Sequence, residues 1–324
     1  MPMTLSNARI AALQRRTFLA AALASVVAPA LRPVRAWASS ELAVTEIAPG
    51  VFVHQGLYEE QSPKNRGDIA NAGFIVGREA VAVIDTLGSF KVGQELRAAI
   101  RRHTDKPIRY VINTHMHPDH VLGNAAFKED QPAFVGHFKL ERALAMRSES
   151  YLATNRTLLG DEAFAGTEIV LPTVSVQDRQ TIDLGGRSLV LEAQKTAHTD
   201  NDLIVTDTTT DTLFMGDLLF SVHVPTIDGS ITGWLALLDK IAARKAARVV
   251  PGHGPHAMPF PDALAPQKRY LATVADDVRK LIRDNKTLSE ASKTAGLSER
   301  GNWQLFDSYH VRNVTTAFAE LEWE

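Results

Sequence analysis

The chain has 324 residues, 45% of them hydrophobic, a net charge of −2 and no cysteine. That is enough apolar material for one large domain or two smaller ones, and the charge excludes the basic stripe that nucleic-acid binding needs. Without cysteine there are neither disulfides nor thiolate ligands, so any metal must be held by nitrogen and oxygen.

Residues 1–38 read as an address. Arg15-Arg16-Thr17-Phe18-Leu19 is a twin-arginine pair leading into an apolar run from Leu19 to Leu31. Ala36-Trp37-Ala38 fits a small-x-small cleavage site, which predicts cleavage after Ala38 and a periplasmic protein. Pro29, Pro33 and the shortness of the run speak against a membrane anchor, which needs about 20 apolar residues. The leader carries five of the 35 basic residues and none of the 37 acidic ones. Its removal leaves an acidic, soluble chain with little attraction to anionic membranes. No later stretch is apolar enough to span a bilayer.

Val51-Phe52-Val53 is the first β-rich run, and NAGFIVGREAVAVID, ending at Asp85, reads as a hairpin around Gly-Arg-Glu. Val92, Leu96, Ala99 and Ile100 have helical spacing, and Lys106-Pro107 closes that helix. Ile108 to Asn113 reads as a buried strand, so strand, helix and strand imply a parallel pair. Ser188 to Glu192 is a short strand. Leu203–Thr206 and Thr212–Met215 form a second hairpin ending at Gly216-Asp217. Trp234, Leu237, Leu238 and Ile241 mark a helix, and Arg248 to Val250 is a strand running into PGHGP. From about Pro261 the chain turns helical. Leu271, Val274, Val278, Leu281 and Ile282 make one face, Thr287-Leu288-Ser289-Glu290 is a capping box, and Val311, Val314, Phe318 and Leu321 line the last helix.

The chemistry concentrates in THMHPDH, residues 114 to 120. His115 and His117, two apart on an extended segment, point the same way. Pro118 forbids a regular helix across the middle, and Asp119 and His120 beyond it can turn toward a second ion. Imidazole and carboxylate suit zinc. Two zinc ions roughly 3.5–4 Å apart can share one hydroxide, and a metal can bring the pKa of bound water to about 7, so no serine or cysteine nucleophile is required. His115 with its neighbours, His198, Asp217 and His253 are all expected just past strand ends, the usual place for a site in an α/β sheet.

His115-Met116-His117-Pro118-Asp119-His120 resembles the HxHxDH motif of the metallo-β-lactamase superfamily. The same order of motifs follows, in AHTDND, FMGD and PGHG. The resemblance implies an α/β fold, an αββα sandwich spanning 42–260, with a C-terminal helical extension, 261–324, packed on it. It implies that His115, His117 and His198 hold a first zinc, that Asp119, His120 and His253 hold a second, and that Asp217 bridges them. Asp119 is also the expected catalytic residue, orienting the hydroxide and shuttling its proton. The cysteine-free ligand set looks more like glyoxalase II than the lactamases with a cysteine ligand. AHTDNDLIV, HVPTIDGSITGWL and RNVTTAFAELEWE resemble the periplasmic zinc metallohydrolases of quinoprotein relay systems, which implies a periplasmic quinoprotein dehydrogenase system as partner.

The expected function is hydrolysis of an ester, thioester, lactone or lactam by two zinc ions. The alternative is a non-hydrolytic accessory protein of a quinoprotein or sulfur-oxidation system. Among the remaining residues, Asp85 is expected to orient the metal loop, and Asp202 more weakly so. Trp234 is expected in the core, His137 in a structural role and His256 at the rim, while His223 is balanced between substrate contact and surface loop. Tyr151 and Asn155 lie in an insert expected to roof the site.

Overall fold

The computed structural model describes residues 41–324; the expected leader, 1–38, lies outside them. The chain first lays down β1 (Thr45–Ala48), β2 (Val51–His54), β3 (Ala72–Val76) and β4 (Val81–Ile84) as an antiparallel meander. Helix α1 (Phe90–His103) crosses back to β5 (Ile108–Ile112). A one-turn helix, α2 (Pro118–Val121), precedes β6 (Ala133–His137), and the long α3 (Leu140–Phe164) precedes β7 (Val174–Val176). Strands β4 to β7 pair in parallel, completing a seven-stranded sheet in sequence order.

The second sheet begins with β8 (Arg179–Asp183), β9 (Ser188–Ala193), β10 (Leu203–Asp207) and β11 (Thr212–Phe220), again antiparallel. Helix α4 (Ile231–Ala242) then returns the chain to β12 (Arg248–His253), parallel to β11, and β13 (Met258–Pro259) closes the edge. The chain ends in α5 (Ala265–Arg283), α6 (Leu288–Thr294) and α7 (Phe306–Leu321).

Residue alternation along the strands builds the four layers. Ile75, Ile84, Ile112 and Val135 meet Leu191, Val205, Phe214 and Val250 between the sheets. Their neighbours Phe74, Val83 and Val111 face the other way, onto Leu96 and Ile100 of α1. On the far side Ile204, Leu213, Met215 and Val249 pack on Trp234, Leu238, Leu271, Val274 and Val314. Strands covered on both faces need apolar residues on both, which is why these runs are nearly continuous. Each such side chain contributes about 1.5–3 kcal/mol by leaving water. The αββα sandwich is therefore present, with the C-terminal helices sharing the core of the second sheet.

Two expectations need correction. Val311 does not line the buried face of α7; it is 53% exposed. The buried face carries Phe306, His310, Asn313, Val314, Ala317 and Leu321. Asp217 does not lie past the end of its strand either. It sits inside β11, where Gly216 (φ +51) and a register shift between Phe214 and Gly216 break the ladder with β12 and turn the carboxylate to the sheet edge.

Candidate metal centre

The two sheets end together where β4, β5, β11 and β12 present Asp85, the histidine loop, Asp217 and His253. Asp85 holds the left-handed conformation (φ +56), which an aspartate tolerates. Its carboxylate accepts from Thr114 N at 2.8 Å and Thr114 Oγ1 at 2.7 Å, tying the start of the histidine loop to the preceding strand end. Pro118 occupies the first turn of α2, where a missing N–H costs nothing, so the helix opens there and swings Asp119 and His120 round. Asn113 and Asn124 bond each other reciprocally at 2.8 and 3.1 Å, and Thr86 Oγ1 donates to Asn124, closing the loop behind the site.

All seven expected ligands converge. Ligand atoms of His115, His117, His198 and Asp217 lie within 4.8 Å of one another, and so do those of Asp119, His120 and His253. In the first group His117 Nδ1 lies 3.1 Å from His115 Nε2 and 2.9 Å from His198 Nε2. Asp217 Oδ2 lies 3.6 and 3.4 Å from those two Nε2 atoms. In the second group His253 Nε2 is 3.3 Å from Asp119 Oδ2, and Asp217 Oδ1 is 3.0 Å from His120 Nε2 and 3.5 Å from His253 Nε2. Asp217 thus gives one oxygen to each group.

The outward nitrogens are fixed as well. His120 Nδ1 faces Asp85 Oδ2 at 2.8 Å, His198 Nδ1 faces Thr226 O at 2.7 Å, and His253 Nδ1 faces Ile69 O at 2.9 Å. His117 Nε2 faces Asp228 Oδ2 at 3.0 Å, and His115 Nδ1 faces Thr114 Oγ1 at 3.0 Å. Each ring can donate outward and leave its inner nitrogen bare, the arrangement that metal-ligating imidazoles need.

The residues fit a pair of divalent cations. Ligand nitrogens round a tetrahedral zinc stand about 3.3 Å apart, given bonds of about 2.0–2.1 Å, close to the separations above. His120 Nε2 and Asp217 Oδ1 are buried and make no hydrogen bond among the described residues. The charges also ask for cations. Burial opposes ionisation of Asp217 and Asp119, yet His120 and His253 outweigh it. Asp217 is held well below the usual carboxylate range and Asp119 at about 2. Burial likewise opposes protonation of His253, but Asp217 and Asp119 raise it to about 9. In the first group burial dominates, pushing His198 down to about 3 and His115 well below its ordinary value.

The remaining sequence candidates separate clearly. Asp85 stands behind both His120 and Thr114. Asp202 touches no ligand ring but accepts from Thr199 N and Oγ1, shaping the turn that carries His198. Trp234 is fully buried, donates Nε1 to Leu218 O and sets its ring against His198 with centroids 5.3 Å apart. His137 is buried and tied to Lys139 N and Gln194 O, away from the cluster. His256 meets Gln55. His223 lines the cleft, its ring 5.0 Å from His253 and 5.1 Å from Tyr309.

Asp228 was missed by the sequence reading. Its only sequence signal is the Asp-Gly-Ser ahead of α4, which reads as a turn and cap. The loop that carries it is pinned by the tail of the chain. Val222, a β-branched residue at φ +69, accepts at its carbonyl from Gln304 N, and Val224 N donates to Gln304 O. Asn313 receives Ile227 N and donates to Pro225 O, and Glu320 accepts from Ile231 N and the Ser230 hydroxyl. A cleft of about 570 Å³ opens over the cluster, walled by Tyr151, Asn155 and Leu158 of α3 and by Tyr309 and Arg312 of α7. The insert therefore does roof the site.

Residues 65–253 match the family model of the metallo-beta-lactamase superfamily. Among curated proteins, a linear primary-alkylsulfatase of Pseudomonas sp. (strain ATCC 19151) is 32% identical over 62 residues. That match takes in 19% of this chain and only 12% of the alkylsulfatase. Among solved structures, a metallo-beta-lactamase from Pontibacter korlensis superposes with TM-score 0.58 at 21% identity, over 71% of this chain and 99% of that one. The sec-alkyl sulfatase PisA1 superposes with TM-score 0.59 at 16% identity, over 78% of this chain and 45% of that one. These structures share the fold.

Proposed function

The chain belongs to the metallo-beta-lactamase superfamily, and we propose that it is a metal-dependent hydrolase that works with two zinc ions on an ester, thioester, lactone or lactam bond. The observation that carries this reading is Asp217, whose two oxygens face two separate sets of ligand atoms. His115, His117 and His198 would hold one ion, Asp119, His120 and His253 the other, with Asp217 shared. When bound, such a pair supplies Lewis acidity and acidifies water. The chain's own part is to present bare imidazole nitrogens at fixed angles, through Asp85, Asp228, Thr114 and the carbonyls of Ile69 and Thr226. Asp119, held as a carboxylate at the cleft floor, is the base for the attacking water's proton. The Phe220 ring, stacked on His253 with centroids 4.9 Å apart, gives the cleft an apolar surface beside that ligand.

On the twin-arginine leader alone we also place the mature protein in the periplasm, where a quinoprotein dehydrogenase system would be its partner. Metal analysis followed by a panel of thioesters, lactones and β-lactams tests the function. About two zinc equivalents per chain and chelator-sensitive turnover are expected. A purified chain that takes up no metal refutes it. The alkylsulfatase match makes alkyl sulfates the next substrates to add.

A further inference from the structure

The wall of the cleft opposite the cluster carries hydrogen-bond donors that the protein leaves unused, beside one unpartnered acceptor, Asn155 Oδ1. Arg312 is the one arginine or lysine among the described lining residues; the acids there are Glu60, Asp119 and Asp217. Asp119 and Asp217 belong to the ligand cluster, where two divalent ions would outweigh their charge. Arg312 commits a single nitrogen, Nη2 at 3.0 Å from Asp228 Oδ1, and its side chain is 61% exposed. A guanidinium has five N–H donors in a planar fork, so most of it faces the opening.

Two phenols flank it. Tyr309 lies one turn before Arg312 on α7, and Tyr151 faces the cleft from α3. Both are half-buried, and neither hydroxyl has a hydrogen-bond partner among the described residues. Their hydroxyls are therefore left to whatever occupies the cleft. Tyr270, in the same helical layer, shows the ordinary case: its hydroxyl meets His310 and Asn313. The two phenols and the guanidinium line the same cleft as Asp119 and Asp217 of the cluster. The wall is also rigid. Asn313, the neighbour of Arg312, is buried and bonded to Ile227 N and Pro225 O.

We propose that Arg312, Tyr309 and Tyr151 form a carboxylate-recognition subsite, and that the substrate carries a carboxylate set apart from the bond that is cleaved. The proposal rests on the hydrolase reading and names the substrate class for it. A guanidinium fork with two hydroxyl donors matches a carboxylate's lone pairs, whereas a neutral acceptor would leave the guanidinium's charge unanswered apart from its bond to Asp228. The rival role for Arg312 is support of Asp228 behind His117, and the test separates the two.

The zinc-loaded protein is assayed with mono-4-nitrophenyl glutarate and with its methyl ester, which share the scissile bond and differ by one charge. The native chain is expected to favour the charged ester in kcat/KM by about tenfold or more. Arg312→Met and Tyr309→Phe should each lower that ratio, chiefly through KM. Equal loss on both esters, accompanied by loss of zinc, would mean a structural role and overturn the proposal. So would a native chain indifferent to the charge. Calorimetric binding of glutaryl 4-nitroanilide and of its methyl ester reads the subsite without turnover. If neither ester is cleaved, the hydrolase reading loses esters of this kind, and the anilides alone decide the subsite. Tighter binding of the charged anilide by the native chain, lost in Arg312→Met, still upholds the subsite, and equal binding of the two anilides overturns it.

Discussion

Two carboxylates stand behind the metal ligands, and replacing each with its amide should separate the two ions. Asp228 faces His117 Nε2 at 3.0 Å, in a place where the two side chains are 17% and 27% exposed. Asp85 faces His120 Nδ1 at 2.8 Å with both side chains at 3% or less. Removing such an outer partner costs about 10–100-fold in metal affinity. Water screens Asp228, and an amide there would keep an oxygen in place, so Asp228→Asn belongs at the lower end, about tenfold or ~1.4 kcal/mol. The loss should fall on the ion held by His115, His117 and His198 and spare the other. Asp85 is buried and also accepts from Thr114 N and Oγ1. Asp85→Asn therefore belongs at the upper end, about a hundredfold, and should strike hardest the ion held by His120, since it reaches His115 only through Thr114. Competition with a chromophoric chelator resolves the two binding steps. If Asp228→Asn weakens both steps alike, or neither, then His117 is not oriented by that carboxylate and the assignment of ligands to two ions is wrong.

Gly252 offers a steric test of the bridge: an added Cβ would stand 2.0 Å from Asp217 Oδ1 and 2.7 Å from Gly216 C. Gly252→Ala should fold, by circular dichroism, yet bind less metal than the native chain; full metal content refutes a fixed position for Asp217. Far from the site, Arg187 donates Nε and Nη2 to the buried Asp207 at 2.9 and 2.7 Å. Arg187→Met takes away that carboxylate's cationic partner and leaves it only the donors of Thr209 and Thr210, which should cost about 3–5 kcal/mol in urea unfolding; a loss below about 1 kcal/mol would show the pair to be dispensable. Burial would raise the Asp207 pKa, but Arg187 and the Thr210 hydroxyl lower it below the ordinary range. Its stability contribution is therefore present above the unfolded value of about 3.9 and lost as pH falls below it. The native chain's urea midpoint should drop across that window by more than that of Asp207→Asn, and parallel acid profiles would count against the pairing. Chelation should lower the thermal midpoint. Free metal at a hundred times Kd adds about 2.7 kcal/mol per site, and an unchanged midpoint means the cluster binds no ion in the native state.

The strands of the two hairpins and the crossover through α1 were legible in the sequence because their periods are local and their apolar residues face two covered sides. The seven ligands were legible for a different reason. Residue type marks the cluster at 114–120 in a single chain, and the order of motifs that resembles the metallo-β-lactamase superfamily supplies His198, Asp217 and His253. Helix α3 shows no such signal: its 25 residues bury only scattered positions, among them Leu140, Leu144, Asn155 and Leu159, and no apolar stripe marks it.

Helix α7 misleads in the opposite way. Apolar spacing puts Val311 inside, but two of the inward positions are polar, His310 and Asn313. Their partners, Tyr270, Ala295 O and Ile227 N, come from elsewhere in the chain. The same holds for Asp228, whose ring partner His117 is 111 residues away. A pattern read along one chain cannot pair residues that distant unless a common third body, such as a metal ion, dictates their chemistry. Tyr151, Tyr309 and Arg312 share such a body only if a substrate joins them, which is why the cleft wall became visible only once the helices were in place.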